Sequence, residues 1–300
     1  MPMLKTARLL TATALSVAVI VPLAQAGDEW DVKVDLQGSY GDYAKSTERE
    51  DLWSAGLIVT ADYLDNVGFT VGYNKTEVNY TPGTPKLTQD ALFASVRFHD
   101  TPDLLPGRLT YRLDGHLIEN DDPTGNTDEG RILAPQIAYL AFDKSLYLDL
   151  GYAHSSYAGD LTLTQWTPTL GIGLNQGNDW LQLRGYLIHS SNASRTQGKE
   201  DTSAVEAKLT HYFGSDAPLG IDRLQATLLG GQRMYAVDGD AGAVYNLADI
   251  QKGSLSLGGT WDLDDSWSVL LVGGLEKYEN QDISDEYDNR YLYFDVNRKW

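Results

Sequence analysis

The stretch WLQLRGYLIHSSNASR, from Trp180 to Arg195, is where this sequence comes nearest to a catalytic arrangement. Leu181, Leu183, Gly185 and Leu187 alternate on one parity, and the same parity runs on through His189 to Ser191. An imidazole within reach of a hydroxyl can take its proton and make it a nucleophile, so the pair is a candidate for covalent catalysis. The spacing is demanding, because residues two apart on a strand stand about 6.6 Å apart along it and both side chains would have to lean together. Asp201 and Ser203 share that parity on the next segment and could orient the imidazole. The plain alternative is a strand that ends in polar residues, and His154-Ser155-Ser156 repeats half of the pattern elsewhere.

Other chemistries are excluded quickly. The chain has no cysteine, so disulfides, thiolate nucleophiles, zinc–thiolate sites and a lipid-modified cysteine all drop out. His99, His116 and His211 stand alone without metal spacing. Asp121-Asp122 with Asp128-Glu129, and Asp238-Gly239-Asp240, offer oxygen ligands without matching the calcium loop of helical sensors, and solvated acidic turns describe them better. A net charge of −19 argues against nucleic acid as a partner. No cofactor is implied.

The elements that must carry these residues are strands. The first 26 residues have a basic start (Lys5, Arg8), an apolar run from Leu9 to Leu23 and the tripeptide Ala24-Gln25-Ala26, which together predict a signal peptide cleaved before Gly27. Removing Lys5 and Arg8 moves the formal charge from −19 to −21. Residues 27–300 then form one domain, in which almost every segment alternates and amphipathic helical spacing is nowhere sustained. About fourteen strands are expected, the eleventh of them over 223–237, with twelve or sixteen as neighbouring possibilities. Pro135 fits either register of the sixth strand poorly.

One parity is apolar, as in Trp30, Val32, Val34 and Leu36 or Leu92, Ala94, Val96 and Phe98, and the other carries small, polar and charged residues. The connections alternate too. Tight ones such as Asp65-Asn66 and Asp143-Lys144-Ser145 follow even-numbered strands, while longer acidic ones such as ENDDPTGNTDEG, ASRTQGKED, VDGDAGAVYNLADIQ and ENQDISDEYDN follow odd-numbered ones. Short turns therefore gather at one rim and long loops at the other. No run after Gly27 approaches the length of a membrane helix, whereas alternating strands need none. Aromatic residues such as Tyr40, Trp53, Tyr152, Trp166 and Trp267 fall near strand ends.

The last strand reads RYLYFDVNRKW and stops on Trp300. A leader, alternating strands, sorted loops and a terminal strand ending in an aromatic residue resemble Gram-negative outer-membrane proteins. That resemblance implies an all-β fold, a transmembrane up-and-down antiparallel β-barrel. It also implies that Phe294 and Trp300 form a signal read by the barrel-assembly machinery, and that outer-membrane lipid and lipopolysaccharide surround the wall. In lipid an open sheet edge leaves costly unpaired backbone groups, so the last strand is expected to close on the first.

In such a barrel the polar parity points inward and puts Lys33, Asp35, Arg97, Arg112, Asp114, Arg184, Glu206 and Lys208 on the lumen. They would either bathe a water-filled pore in a transverse field or simply brace the wall by ion pairs. The expectation is a passive channel for small hydrophilic solutes, with acidic loops favouring cations. Two other readings remain. His189, Ser191 and Asn192 resemble the local motif of outer-membrane phospholipase A and lipid A deacylases, which implies a base at His189 and a nucleophile at Ser191. A barrel can also serve as scaffold for an envelope assembly.

Overall fold

The computed structural model describes residues 29–122, 125–214 and 217–300, so the expected leader lies outside the described residues. Sixteen strands follow in order: β1 (Trp30–Ala44), β2 (Arg49–Tyr63), β3 (Val67–Tyr80), β4 (Leu87–Asp100), β5 (Gly107–Asn120), β6 (Gly130–Ala141), β7 (Leu146–Tyr157), β8 (Leu161–Leu174), β9 (Asp179–Ser190), β10 (Asp201–Tyr212), β11 (Arg223–Arg233), β12 (Val237–Asp238), β13 (Ala243–Val244), β14 (Ile250–Asp262), β15 (Trp267–Asn280) and β16 (Asp285–Lys299). All except β12 and β13 form one closed antiparallel barrel of fourteen strands. Neighbours in sequence are neighbours in the wall, and β16 closes on β1 in the register Lys33↔Lys299 to Ala44↔Asp288. Trp300 completes the seam by donating its backbone N–H to the Val32 carbonyl at 2.9 Å.

The outer face is the apolar parity. Leu36, Phe69, Val96, Leu148, Val205 and Leu257 are all exposed, as a wall facing hydrocarbon requires. Pro135, which fitted neither register, faces outward and is exposed, and the β6–β7 ladder skips from Leu133↔His154 to Gln136↔Gly151 around it. A proline cannot donate to the ladder, so the wall loses pairing there.

The start of β1 and the end of β16 lie at one rim with the tight turns. Leu64 and Asp65 both take positive φ, the pair of angles a tight hairpin turn needs, and Asp143 and Asp264 cap their turns by accepting the backbone N–H of Ser145 and Ser266. At the opposite rim the sorting is weaker than the composition suggests. The strands run on through several acidic stretches and leave short connections at 45–48, 158–160 and 281–284 beside the longer 81–86, 121–129, 191–200 and 234–249, while the turn rim carries one as long as 213–222. Charge did not mark a loop at these places because cross-strand pairs such as Lys45–Asp288 and Lys252–Glu279, both at 2.6 Å, allow acidic residues to stay in the sheet.

Candidate functional site: a divided lumen

The largest departure from expectation is the segment 234–249. The eleventh strand ends at Arg233 rather than 237, and the chain then turns into the barrel instead of away from it. The turn starts at Gly231, with φ of +117° and a register shift against β14. A side chain there would run into the Ser203 carbonyl, so glycine permits the strand to leave the wall at this point.

Inside, the segment makes a small hairpin of β12 and β13 and crosses the lumen. Its tip meets the wall on β4 and β5, where Gly242 lies against the Phe93 ring and Gly239 against the Arg112 guanidinium. In the strand order those two strands lie opposite β11 and β14, so the segment is a septum across the diameter.

The septum is anchored by packing. Tyr235, Ala236, Tyr245 and Ala248 pack with Tyr157, Leu161, Leu163, Tyr186 and Ile188; Val237 and Val244 pack with Ile118, Ile132, Ala134 and Ala153; Leu247 packs with Tyr43, Val78, Tyr278 and Tyr287. Tyr235, Ala236 and Val237 are buried and the others partly so; a fully buried side chain the size of Val or Leu contributes about 1.5–3 kcal/mol, which makes the septum part of the core. Polar clamps fix its orientation. Gln165 exchanges two hydrogen bonds with the Val237 backbone, at 2.7 and 3.0 Å. Asn246 donates to Gln89 at 2.7 Å, and Asp249 receives Arg49 at 2.6 Å, Tyr287 at 2.5 Å and Asn280 at 2.8 Å. Asp238 and Asp240 are therefore not solvated turn residues, since both are held by Arg184. Burial would push the Asp240 carboxyl up, but Arg184 and Lys208 outweigh it and hold the carboxyl below the usual aspartate value.

The septum makes the two halves of the lumen unlike. On the β6–β9 side the space is largely filled, and a pocket there has only about 20 Å³, lined by Asp114, Gln165, Arg184 and Gly239. On the other side a cavity of about 1370 Å³ is bounded by β1–β5, β10, β11, β14–β16 and the septum. Its lining runs from Lys33, Arg97, Ser268 and Asn297 at the turn rim to Glu48, Lys86 and Asp121 at the loop rim.

The charged residues expected on the lumen divide accordingly. Lys33, Asp35, Arg97, Arg112, Glu206 and Lys208 border the open cavity, whereas Asp114 and Arg184 point inward but lie under the septum with 1% and 4% of their surface exposed. Several are braced within the wall: Lys33 on Asp35 at 2.8 Å, Arg97 on Asp62 at 2.5 Å and Arg112 on Asp114 at 3.0 Å.

Two solved structures align along nearly the whole chain. The toluene transporter TodX of Pseudomonas putida does so at 10% identity, covering 91% of this chain and 90% of its own, with a TM-score of 0.54. A bacterial polysaccharide outer-membrane secretin does so at 12% identity, covering 90% and 98%, with a TM-score of 0.52. The fold is that of a Gram-negative outer-membrane β-barrel. At this identity the likeness concerns the fold alone. No protein-family model matches the sequence, and no curated protein matches it.

On the outside of this outer-membrane barrel, His189 and Asp201 face each other across β9 and β10, with Nδ1 to Oδ1 at 2.9 Å. Ser191 is engaged elsewhere, its Oγ accepting the backbone N–H of Thr162 at 3.0 Å, and no hydrogen bond joins it to His189 among the described residues. The sequence thus brought the base candidate and its orienting acid together but not the nucleophile. Both His189 and Asp201 are more than half exposed, at 53% and 78% of their side-chain surface.

Proposed function

We propose that this protein is a passive outer-membrane channel for small hydrophilic solutes, entered and left through the undivided half of the lumen, with a preference for cations. The observation that carries the reading is the cavity of about 1370 Å³ whose lining includes residues of both rims. A barrel of this strand number is too wide for wall side chains to fill, and here the septum fills one half and leaves the other. The cation preference rests on the excess of carboxylates, a formal charge of −21 once the expected leader is gone, and on Glu48 and Asp121 at the loop-rim entrance. The resemblance in sequence pattern adds the location, an outer membrane reached by a cleaved leader and the barrel-assembly machinery, with lipopolysaccharide around the wall.

Reconstitution into a planar bilayer tests the reading. Discrete conductance steps are expected, with a reversal potential in a KCl gradient on the cation side that weakens above about 0.5 M salt as the screening length shrinks to a few Å. A folded barrel that never conducts would overturn it.

The contact between His189 and Asp201 is the one observation favouring a second reading, a lipid hydrolase working on the outer face. Ser191 is bonded to the Thr162 N–H and not to the imidazole among the described residues, and the channel reading is preferred. Nothing specific in the structure favours the scaffold reading.

A further inference from the structure

We propose that the open half of the lumen carries a track for small organic cations, amines or guanidinium compounds with an apolar body, running from Glu276 on β15 down β16 past Tyr291 and Tyr293 to Asp295. The inference rests on the channel reading and names the solute class it would favour.

The argument begins with charge balance in the wall. Lys33, Arg49, Arg97 and Arg112 each have a carboxylate of the protein as partner, and Glu206, without an ion pair among the described residues, lies in the field of Asp238 and of Arg233, Arg184 and Lys208. Glu276 and Asp295 differ. Both border the cavity and are about nine-tenths buried, yet neither forms an ion pair among the described residues. Glu276 is held by neutral donors only: Gln251 at 3.1 Å, the Tyr278 hydroxyl at 2.9 Å and the Asn289 amide at 2.8 Å. Asp295 receives the Asn297 amide at 3.3 Å. A carboxylate withdrawn from water and held by neutral donors alone is only partly compensated, and a cation arriving from the lumen relieves the remaining cost.

Geometry narrows the class of cation. Glu276 sits opposite Asn289 on β16, and Asn289 and Asp295 are six residues apart, about 20 Å along a strand. The inward positions between them are Tyr291 and Tyr293. Tyr291 rests on the bare backbone of Gly274, so its ring lies along the wall. Two carboxylates with two rings between them suit a cation whose body can lie on an aromatic face, whereas a metal ion that keeps its hydration shell gains little from the rings.

The chain itself shows what such groups hold in this lumen. The Arg233 guanidinium sits between Tyr186 and Tyr245, at 4.8 and 4.2 Å from the ring centres. Arg49 lies over Tyr287 at 5.4 Å and Tyr80 at 5.8 Å while it pairs with Asp249. Both are organic cations recognised by tyrosine faces, one with a carboxylate added. The β16 stripe repeats that chemistry and leaves the cation to be supplied.

The test uses the full-length barrel in planar bilayers carrying a KCl current, with agmatine and phenethylamine as probes and glucose as control. Saturable block by both amines and none by glucose is expected. Glu276→Gln and Asp295→Asn should each weaken block by about tenfold or more, the loss of one charge-assisted contact. Heat-modifiable migration reports whether each variant is folded, and Tyr293→Leu serves as a second variant should either carboxylate change fail to assemble. Channels that conduct KCl but ignore both amines, or that are blocked equally in all variants or by glucose, overturn the track and leave the channel reading standing. Absence of any conductance overturns both.

Discussion

Arg184, on β9, holds Asp238 at 3.0 Å and Asp240 at 2.5 Å, and so ties the tip of the septum to a wall residue with only 4% of its side chain exposed. The three charges are mutually dependent. Removing one partner of a buried pair leaves the others uncompensated, which costs about 3–5 kcal/mol.

Arg184→Leu should therefore loosen the septum without opening the barrel, whose ladders it does not touch. Single-channel recording should show larger or noisier steps than the unmodified protein, with heat-modifiable migration retained. Unchanged conductance would mean that apolar packing alone places the septum.

Acid should act on the same contact. The Asp240 carboxyl titrates below the usual aspartate value in the folded chain, so its contribution is complete at neutral pH and is lost only as pH falls through that lowered value, below about 3.9. Single-channel records taken from pH 7 to pH 3 should gain the noise of a loosened septum only within that window. A transition centred near pH 6 would point to another group.

Gly242 takes a φ of +59°, and a side chain there would meet the Phe93 ring at 3.1 Å. Gly242→Val should strain the tip through both effects and shift it from β4, at a cost of about 1–3 kcal/mol. Altered conductance with normal assembly is expected. The same substitution at Gly83, which has positive φ but open space around it, provides the control for backbone strain alone.

Phe294 lies over Gly38 on β1, and Trp300 is stacked by Arg298 at 4.7 Å. Replacing Phe294 and Trp300 by Asp should leave the chain unassembled, since it puts charge on the outer face at the closing seam. Migration on gels with and without heating reads the outcome, and a normal folded band would show that the seam closes without them.

Ser191→Ala should change neither folding nor lipid composition, because the Thr162 N–H it would leave is exposed to water. Release of fatty acid from phospholipid or lipid A by the unmodified protein, abolished in this variant, would instead establish the hydrolase reading.

The sequence by itself determined the barrel. Alternation of period two places each residue on one face or the other, and a membrane admits a sheet only if it closes, so a barrel of about fourteen strands, closure at Trp300 and the inward parity of Lys33 and Arg97 follow from local pattern, while the choice of fourteen over twelve or sixteen came with the structure. What only the tertiary structure decided is the interior. At the loop-rim ends of β5, β6, β8 and β9 the inward parity turns apolar, at Ile118, Ile132, Leu161, Leu163 and Ile188, and this was the available sign that something dry must cover them. The pattern does not say what. Residues 234–249 combine acidic and apolar residues as a solvated loop also can, and the contacts that settle the matter join Val237 to Gln165, Asp238 to Arg184 and Asp249 to Arg49, positions far apart in the chain. The same limit separated Ser191 from His189, which share a face by sequence, because a Thr162 N–H on the neighbouring strand competes for the hydroxyl. A face is a local property of the chain, and a partner is not.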